Sequence, residues 1–333
     1  MTIQGSMTIQ GIKRVHPQTW QFSEDFAGER GPHMGRCVLD QKEYPGVMGL
    51  SAATAAMGKS SSKWRAPLSD AEVAGLADGM SLAGAPLQPP KLLQMGWKEG
   101  QVFTALDDPD RTELPWQGPS FLERKDPKLQ RGKTQWEELV VPGGPGRFAG
   151  VVTGVFDEDD CAELIECINQ KGFTPALLNI GHGRQMLDLK ARDGHRAIVD
   201  SPELSGYLLE VLRPYLPETF QRGTLIDLNE RCRVLCYTPG QEFPAHYDGT
   251  FRRPRPDPRA GDRSMITVQV YLHDVPEGSG GGTTFMKDSE EVVCCCQPRA
   301  GSVLIFSQNL LHEGSLLKSG LKYTLRTEAM YRM

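Results

Sequence analysis

The change of hydrophobic period near Arg231 limits the fold of this 333-residue chain more than any other feature. Residues 264–272 alternate Ile266, Val268, Val270 and Leu272 with Thr267, Gln269 and Tyr271. Residues 321–326 alternate Leu321, Tyr323 and Leu325 with Lys322, Thr324 and Arg326. Successive side chains of an extended chain point to opposite faces, so both segments predict strands with one apolar face. VLIF at 303–306 predicts a short buried strand after a turn at Gly301. Upstream the spacing is helical. Asp157 opens a helix over 157–171, with Cys161, Leu164, Ile165 and Ile168 on one side and Gly172 as its stop. Ser201 and Pro202 open a second helix over 201–216, with Leu204, Leu208, Leu209 and Leu212 on one face. Two helices followed by short strands and Gly/Pro turns predict a mainly β sandwich or barrel with helices flanking one side.

Residues 1–145 read differently. They are rich in Gly, Pro, Ser and Ala, with breaks at 58–62 and 86–90 and a short helix candidate at 69–80, capped by Ser69 or Asp70. Trp97, Trp116 and Trp136 are spread through loop-like sequence, and MTIQG occurs at 1–5 and again at 7–11 without setting a repeat period. VVPGGPGRF at 140–148 reads as a linker, which divides the chain into a loop-rich region of unreadable function, 1–145, and a folded domain, 146–333.

The composition, 39% hydrophobic and 24% charged, is that of a globular protein, and a net charge of −5 gives no general attraction to nucleic acid or anionic membrane. No run approaches the roughly 18 apolar residues of a membrane span. The N-terminus lacks the apolar core and cleavage pattern of a secretory signal, so the expected location is intracellular, cytoplasmic or nuclear. Eight cysteines occur without a CxxC pair, which predicts reduced, mostly buried thiols rather than disulfides or zinc.

The segment that carries chemistry is PAHYDG at 244–249. On an extended chain His246 and Asp248 point the same way and present an imidazole and a carboxylate to one point. A third ligand from a distant strand would complete two histidines and a carboxylate on one face of a metal, the arrangement of non-haem Fe(II) oxygenases. His312, in LLHEG just after the apolar strand, is the candidate. An H-x-D pair alone is weak, because chance produces it often.

The order of the remaining segments makes the reading specific. NERCRVLCYTPGQEFPAHYDGTFRR, RSMITVQVYLHD, GGGTTF, PRAGSVLIF, LLHEG and SGLKYTLRTEAMYR, preceded by the helix opening VFDEDDCAELI, resemble the prolyl 4-hydroxylase type of 2-oxoglutarate/Fe(II)-dependent oxygenases. The resemblance runs from about 150 to the C-terminus and implies a double-stranded β-helix (jelly roll) core, which makes 146–333 the dioxygenase domain. It implies His246, Asp248 and His312 as iron ligands. It also implies a C–H hydroxylation that consumes 2-oxoglutarate and O2 and releases succinate and CO2, with ascorbate as an optional reductant. Lys322, ten positions after His312, falls where this type places the partner of the distal carboxylate of 2-oxoglutarate. Tyr237 matches a tyrosine that lines the co-substrate site, and Tyr271 a position that can donate its hydroxyl to the distal carboxylate.

Physical chemistry supports part of this independently. Lys322 and Arg326 share one face of a strand whose other face is apolar, and a cation buried there needs an anion. A dicarboxylate would supply it; solvent or a protein carboxylate would serve equally well, and either residue could be the main anchor. FRRPRPDPRAGDR at 251–263 carries five arginines and reads as a solvated, mobile loop, with a clamp for an acidic substrate or a nucleic acid as the other reading. GSGGG at 278–282 reads as a turn, and His182, His195 and His273 as ordinary residues. Two further readings stay open: a nucleic-acid demethylase, suggested by Arg326 and Arg332 in an R-x5-R spacing, and a non-catalytic or zinc-binding jelly-roll module. The substrate, protein side chain or small molecule, and the oligomeric state are not legible.

Overall fold

This computed structural model of the chain describes residues 69–77, 80–104, 116–181 and 183–333. The repeated MTIQG, the 58–62 break, Cys37 and His182 lie outside them. Two antiparallel sheets dominate. The larger runs Gln135–Glu138, Ala149–Thr153, Val303–Ser307, Arg263–Tyr271, Lys322–Arg332, Arg231–Tyr237, His195–Asp200, Thr174–Pro175. Gly223–Leu228 also pairs with the distal half of Lys322–Arg332. The smaller sheet runs Phe243–His246, Leu311–Gly314, Thr283–Met286, Val292–Cys296. The fold is mainly β with flanking helices, a double-stranded β-helix.

The alternation along the strands sorts residues into two layers. Val268, Val270, Val234, Ile305 and Leu325 share one core with Leu164 and Ile168 of helix Glu158–Lys171 and with Leu204 and Leu208 of helix Pro202–Leu212. On the other face Leu304, Phe306 and Tyr271 pack with Phe285 and Cys296 of the smaller sheet. Burying each such side chain contributes about 1.5–3 kcal/mol relative to leaving it exposed, which fixes the register: a slip of one residue would turn both layers inside out.

The helices begin and end where local chemistry dictates. Asp157 and Asp160 form a reciprocal capping box on Glu158–Lys171, and Gly172 ends it at a φ of 84°, where a Cβ would come within 2.8 Å of Leu93. The Ser201 side chain accepts from Leu204 N at 3.2 Å, and Pro202 occupies the first turn. This helix stops at Leu212, short of the predicted 216, and tightens into a 3-10 turn, Arg213–Tyr215. Pro214 explains the stop, since it has no N–H to donate and its ring would clash with the Glu210 carbonyl in an α-helix. The N-terminal helix is likewise shorter than predicted, Asp70–Leu76.

Residues upstream of 146 take part in the same core. Gln135–Glu138 forms the edge of the larger sheet, and Phe121 is fully buried against Phe156 and Tyr207, with ring centroids 5.4 and 5.9 Å away. All seven described cysteines are free thiols; Cys161, Cys232, Cys236 and Cys296 are buried and Cys295 is exposed. Among the described residues no helix is long and apolar enough to cross a membrane.

Candidate metal centre

The smaller sheet sets His246 directly opposite His312, their ring centroids 4.4 Å apart. Asp248 follows His246 by two residues. The three side chains bring one ligand atom each within 4.8 Å of one another. Both imidazoles are held in one tautomer. His246 Nδ1 donates to Pro244 O at 2.7 Å and His312 Nδ1 to Leu310 O at 3.0 Å; a carbonyl only accepts, so the proton sits on Nδ1 and the Nε2 lone pairs face inward. Nε2 of His246 lies 3.7 Å from Asp248 Oδ1, and Nε2 of His312 lies 3.9 Å from Oδ2. That is the tautomer and orientation a metal ion requires. The His312 ring sits against Phe306 and Phe285, centroids 4.7 and 6.1 Å away, and burial with His246 beside it pushes its pKa down to about 4. It is neutral at physiological pH.

Asp248 is buried between two donors. Thr267 Oγ1 donates to Oδ2 at 2.5 Å and Arg326 Nη2 meets Oδ1 at 2.8 Å. Burial alone would raise its pKa; Arg326, His312 and His246 outweigh that and hold it well below the usual carboxylate range. Two imidazoles and one carboxylate converging from one side fit a divalent iron with coordination positions left open.

The larger sheet faces this trio across a cleft lined among others by Tyr237, Gln269, Thr283, Lys322 and Arg326. Register brings these together: Tyr237 pairs with Lys322 and Gln269 with Arg326. Lys322 is 4% exposed, its Nζ is 5.3 Å from the centre of the Tyr237 ring, and no ion pair among the described residues engages it. Burial pushes its pKa down to about 8. Arg326 differs, since Asp248 holds its charge and Glu328 lies 3.8 Å away. Tyr271 is buried a layer deeper. Its hydroxyl donates at 2.8 Å to Thr283 Oγ1, and Thr283 lines the cleft.

The Arg-rich run departs from the solvated loop expected of it. Arg253 is 3% exposed and bonds Glu230 at 2.8 Å and Asp227 at 3.0 Å, and Arg259 bonds the same two carboxylates. Its acids lie on 223–230 and within the run itself, at Asp257, so Arg253 and Arg259 fold back instead of extending into water, while Arg252 and Arg255 stay exposed. Arg332 pairs with Asp262 at 2.9 Å, its side chain 54% exposed, and is not among the cleft-lining residues. GSGGG is a turn against 316–317, where a Cβ on Gly280 would sit 2.0 Å from Leu316 O. His273 is a buried structural residue that accepts from Tyr323 N at 3.1 Å, and His195 is half-buried, with desolvation pushing its pKa down to about 4.

Several lining residues escaped sequence reasoning: Arg192, Phe243, Thr283 and Glu313. Thr267 and Gln269 carried a signal, because they alternate with the apolar residues of their strand. Arg192 carried none.

Residues 232–327 match the 2OG-Fe(II) oxygenase superfamily. A PKHD-type hydroxylase of Pseudomonas putida F1 is 22% identical over 174 residues, covering 52% of this chain and 74% of the relative. Among solved structures, a Trichoplax adhaerens prolyl hydroxylase in complex with a hypoxia inducible factor peptide fragment aligns with 54% of this chain and 82% of its own, at 17% identity and a TM-score of 0.43. A Pseudomonas putida prolyl-4-hydroxylase aligns with 64% of this chain and 100% of its own, at 15% identity and a TM-score of 0.39. The chain thus resembles the 2-oxoglutarate/Fe(II)-dependent oxygenases of the prolyl 4-hydroxylase type over its matched residues. It is a dioxygenase that hydroxylates a substrate with Fe(II), 2-oxoglutarate and O2.

Proposed function

We propose that this chain hydroxylates a C–H bond of a protein or peptide side chain, with His246, Asp248 and His312 as the iron ligands. The observation that carries the reading is the convergence of two inward-facing Nε2 atoms and one ionised carboxylate on a single point beside an unpaired, buried Lys322. Lys322 would hold the distal carboxylate of 2-oxoglutarate, with the Tyr237 ring beside it and Tyr271 acting through Thr283. Arg326 would fix Asp248 in orientation rather than bind the co-substrate. When bound, iron and 2-oxoglutarate supply the oxidising power for C–H hydroxylation, with succinate and CO2 as co-products. The chain's own groups orient them and keep water out, and Phe243, Phe285 and Phe306 pack around the two histidines. Residues 146–333 would form the dioxygenase domain, with the upstream strand Gln135–Glu138 extending its sheet. The resemblance to prolyl 4-hydroxylases supports a peptide substrate. Arg332, paired with Asp262 away from the cleft, offers nothing to the demethylase alternative.

The test is succinate release with Fe(II) and 2-oxoglutarate, together with a gain of one oxygen on a peptide by mass spectrometry. His246→Ala and His312→Ala should each abolish coupled turnover. Undiminished turnover in either variant refutes the ligand assignment.

A further inference from the structure

The cleft has five charged lining residues: Arg192, Asp248, Glu313, Lys322 and Arg326. Asp248 and Arg326 pair with each other, and Lys322 is assigned above to 2-oxoglutarate. Glu313 accepts from Ser315 Oγ at 2.9 Å. Arg192 is left over.

Arg192 comes from the loop that precedes strand His195–Asp200. Its Nη1 donates to Leu177 O at 3.2 Å, and its Nε is buried without a hydrogen-bond partner among the described residues. No carboxylate among the described residues forms an ion pair with it, and the charged neighbours that lower its pKa to about 10, after burial itself, are Arg196, Arg326 and Arg233. The contrast within the molecule is with Arg253, which is 3% exposed and has three carboxylates within 3.7 Å, whereas Arg192 is half-buried. A cation in Arg192's position is costly unless a ligand supplies the anion.

Its location says which ligand. The guanidinium carbon stands 4.7 Å from the centre of the Phe243 ring, and Phe243 lies 3.8 Å from the His246 ring. Arg192 is therefore stacked, through one aromatic ring, on a metal-ligating imidazole. Lys322 stands elsewhere in the cleft, near Cys295 and Cys296 of the smaller sheet. A guanidinium held against an aromatic face keeps its planar fork of donors, which matches a carboxylate in two-pronged fashion.

We infer that Arg192, backed by Phe243, is a specificity-determining residue that receives an acidic side chain of the peptide substrate, so that the oxidised residue lies close to an Asp or Glu. This rests on the peptide-oxygenase reading above. The carboxylate could come from two sources, the peptide or 2-oxoglutarate itself, and the experiment separates them.

Full-length protein with Fe(II) and 2-oxoglutarate is offered three synthetic peptide pools with a randomised central residue, flanked by Asp/Glu, by Ser/Asn or by Lys/Arg. Oxygen incorporation and half-saturating concentrations are measured for wild type, Arg192→Gln and Arg192→Lys. Wild type should favour the acidic over the neutral pool by about tenfold, the worth of one charge-assisted hydrogen-bonded contact. Arg192→Gln should bring that ratio near one, and Arg192→Lys should restore part of it, which a merely structural role would not do. Equal use of the pools by wild type overturns the inference, as does failure to oxidise any pool while peptide-independent 2-oxoglutarate turnover continues. A larger rise in the half-saturating 2-oxoglutarate than in that of the acidic pool, on Arg192→Gln, would give the carboxylate to the co-substrate and overturn it too. Loss of all 2-oxoglutarate turnover in wild type would remove the underlying reading and the inference with it.

Discussion

Two cation-rich segments of this chain, the run at 251–263 and the C-terminal strand Lys322–Arg332, look alike in sequence and behave oppositely in the fold. In the first, Arg253 and Arg259 are answered by Asp227, Glu230 and Asp257. In the second, Arg326 is answered by Asp248, while Lys322 is buried with no carboxylate partner among the described residues. The density of positive charge says little about function. What matters is whether the fold supplies the counter-charge or leaves it for a ligand.

The largest expected difference is in co-substrate binding. Lys322→Ala should raise the half-saturating 2-oxoglutarate concentration roughly 10- to 100-fold, the worth of about 1.5–3 kcal/mol for bonds to a charged group. Arg259→Ala should leave it unchanged. Titration of succinate release against 2-oxoglutarate checks both, and equal effects would erase the distinction between the segments.

Folding stability should show the reverse order. Arg253→Ala removes hydrogen bonds to Asp227 and Glu230 and should cost about 1.5–3 kcal/mol in urea unfolding, whereas Lys322→Ala should leave the ligand-free protein as stable or more so.

The two segments should also respond to opposite ends of the pH scale. Burial would raise the pKa of Glu230, but its bonds with Arg253 and Arg259 hold it at about 2, below its ordinary 4.5. Its contribution is present above pH 4.5 and is lost as pH falls toward 2; Arg253→Ala should blunt that loss. For Lys322, burial lowers the pKa from 10.5 to about 8. Between those values the unfolded chain binds more protons than the folded one, so ligand-free stability should rise with pH. Over the same window 2-oxoglutarate affinity should fall, because the anion needs the charged amine. Calorimetric titration at pH 7 and pH 9.5 reads the second effect.

The smallest effect belongs to pairs that are merely exposed. Lys287 and Glu291, with side chains 53% and 64% exposed, sit 2.9 Å apart, and Lys287→Ala should change stability by less than about 1 kcal/mol in the same unfolding experiment.

The contrast also shows what the sequence could carry. The alternation at 264–272 and 321–326 revealed which residues face the helices and which face the cleft, and the capping residues Asp157 and Ser201 marked both helix starts. H-x-D and His312 were legible because strand geometry alone aims i and i+2 at one point. The counter-ions were not. Arg253 finds Asp227 and Glu230 more than twenty residues upstream, and Arg326 finds Asp248 across the cleft between the two sheets, contacts that no local period encodes. Arg192 lies in a loop with no pattern at all, so only the packing of Phe243 against His246 reveals it. The helix ending at Leu212 failed for a local reason instead, since the leucine spacing outweighed Pro214 in the prediction.

The most direct test of the central claim is an anaerobic Fe(II) titration of the full chain by calorimetry, with and without 2-oxoglutarate, on wild type and His312→Ala. One Fe(II) per chain in wild type, bound more tightly when 2-oxoglutarate is present and lost in the variant, is the predicted result. Equal Fe(II) binding by His312→Ala would contradict it.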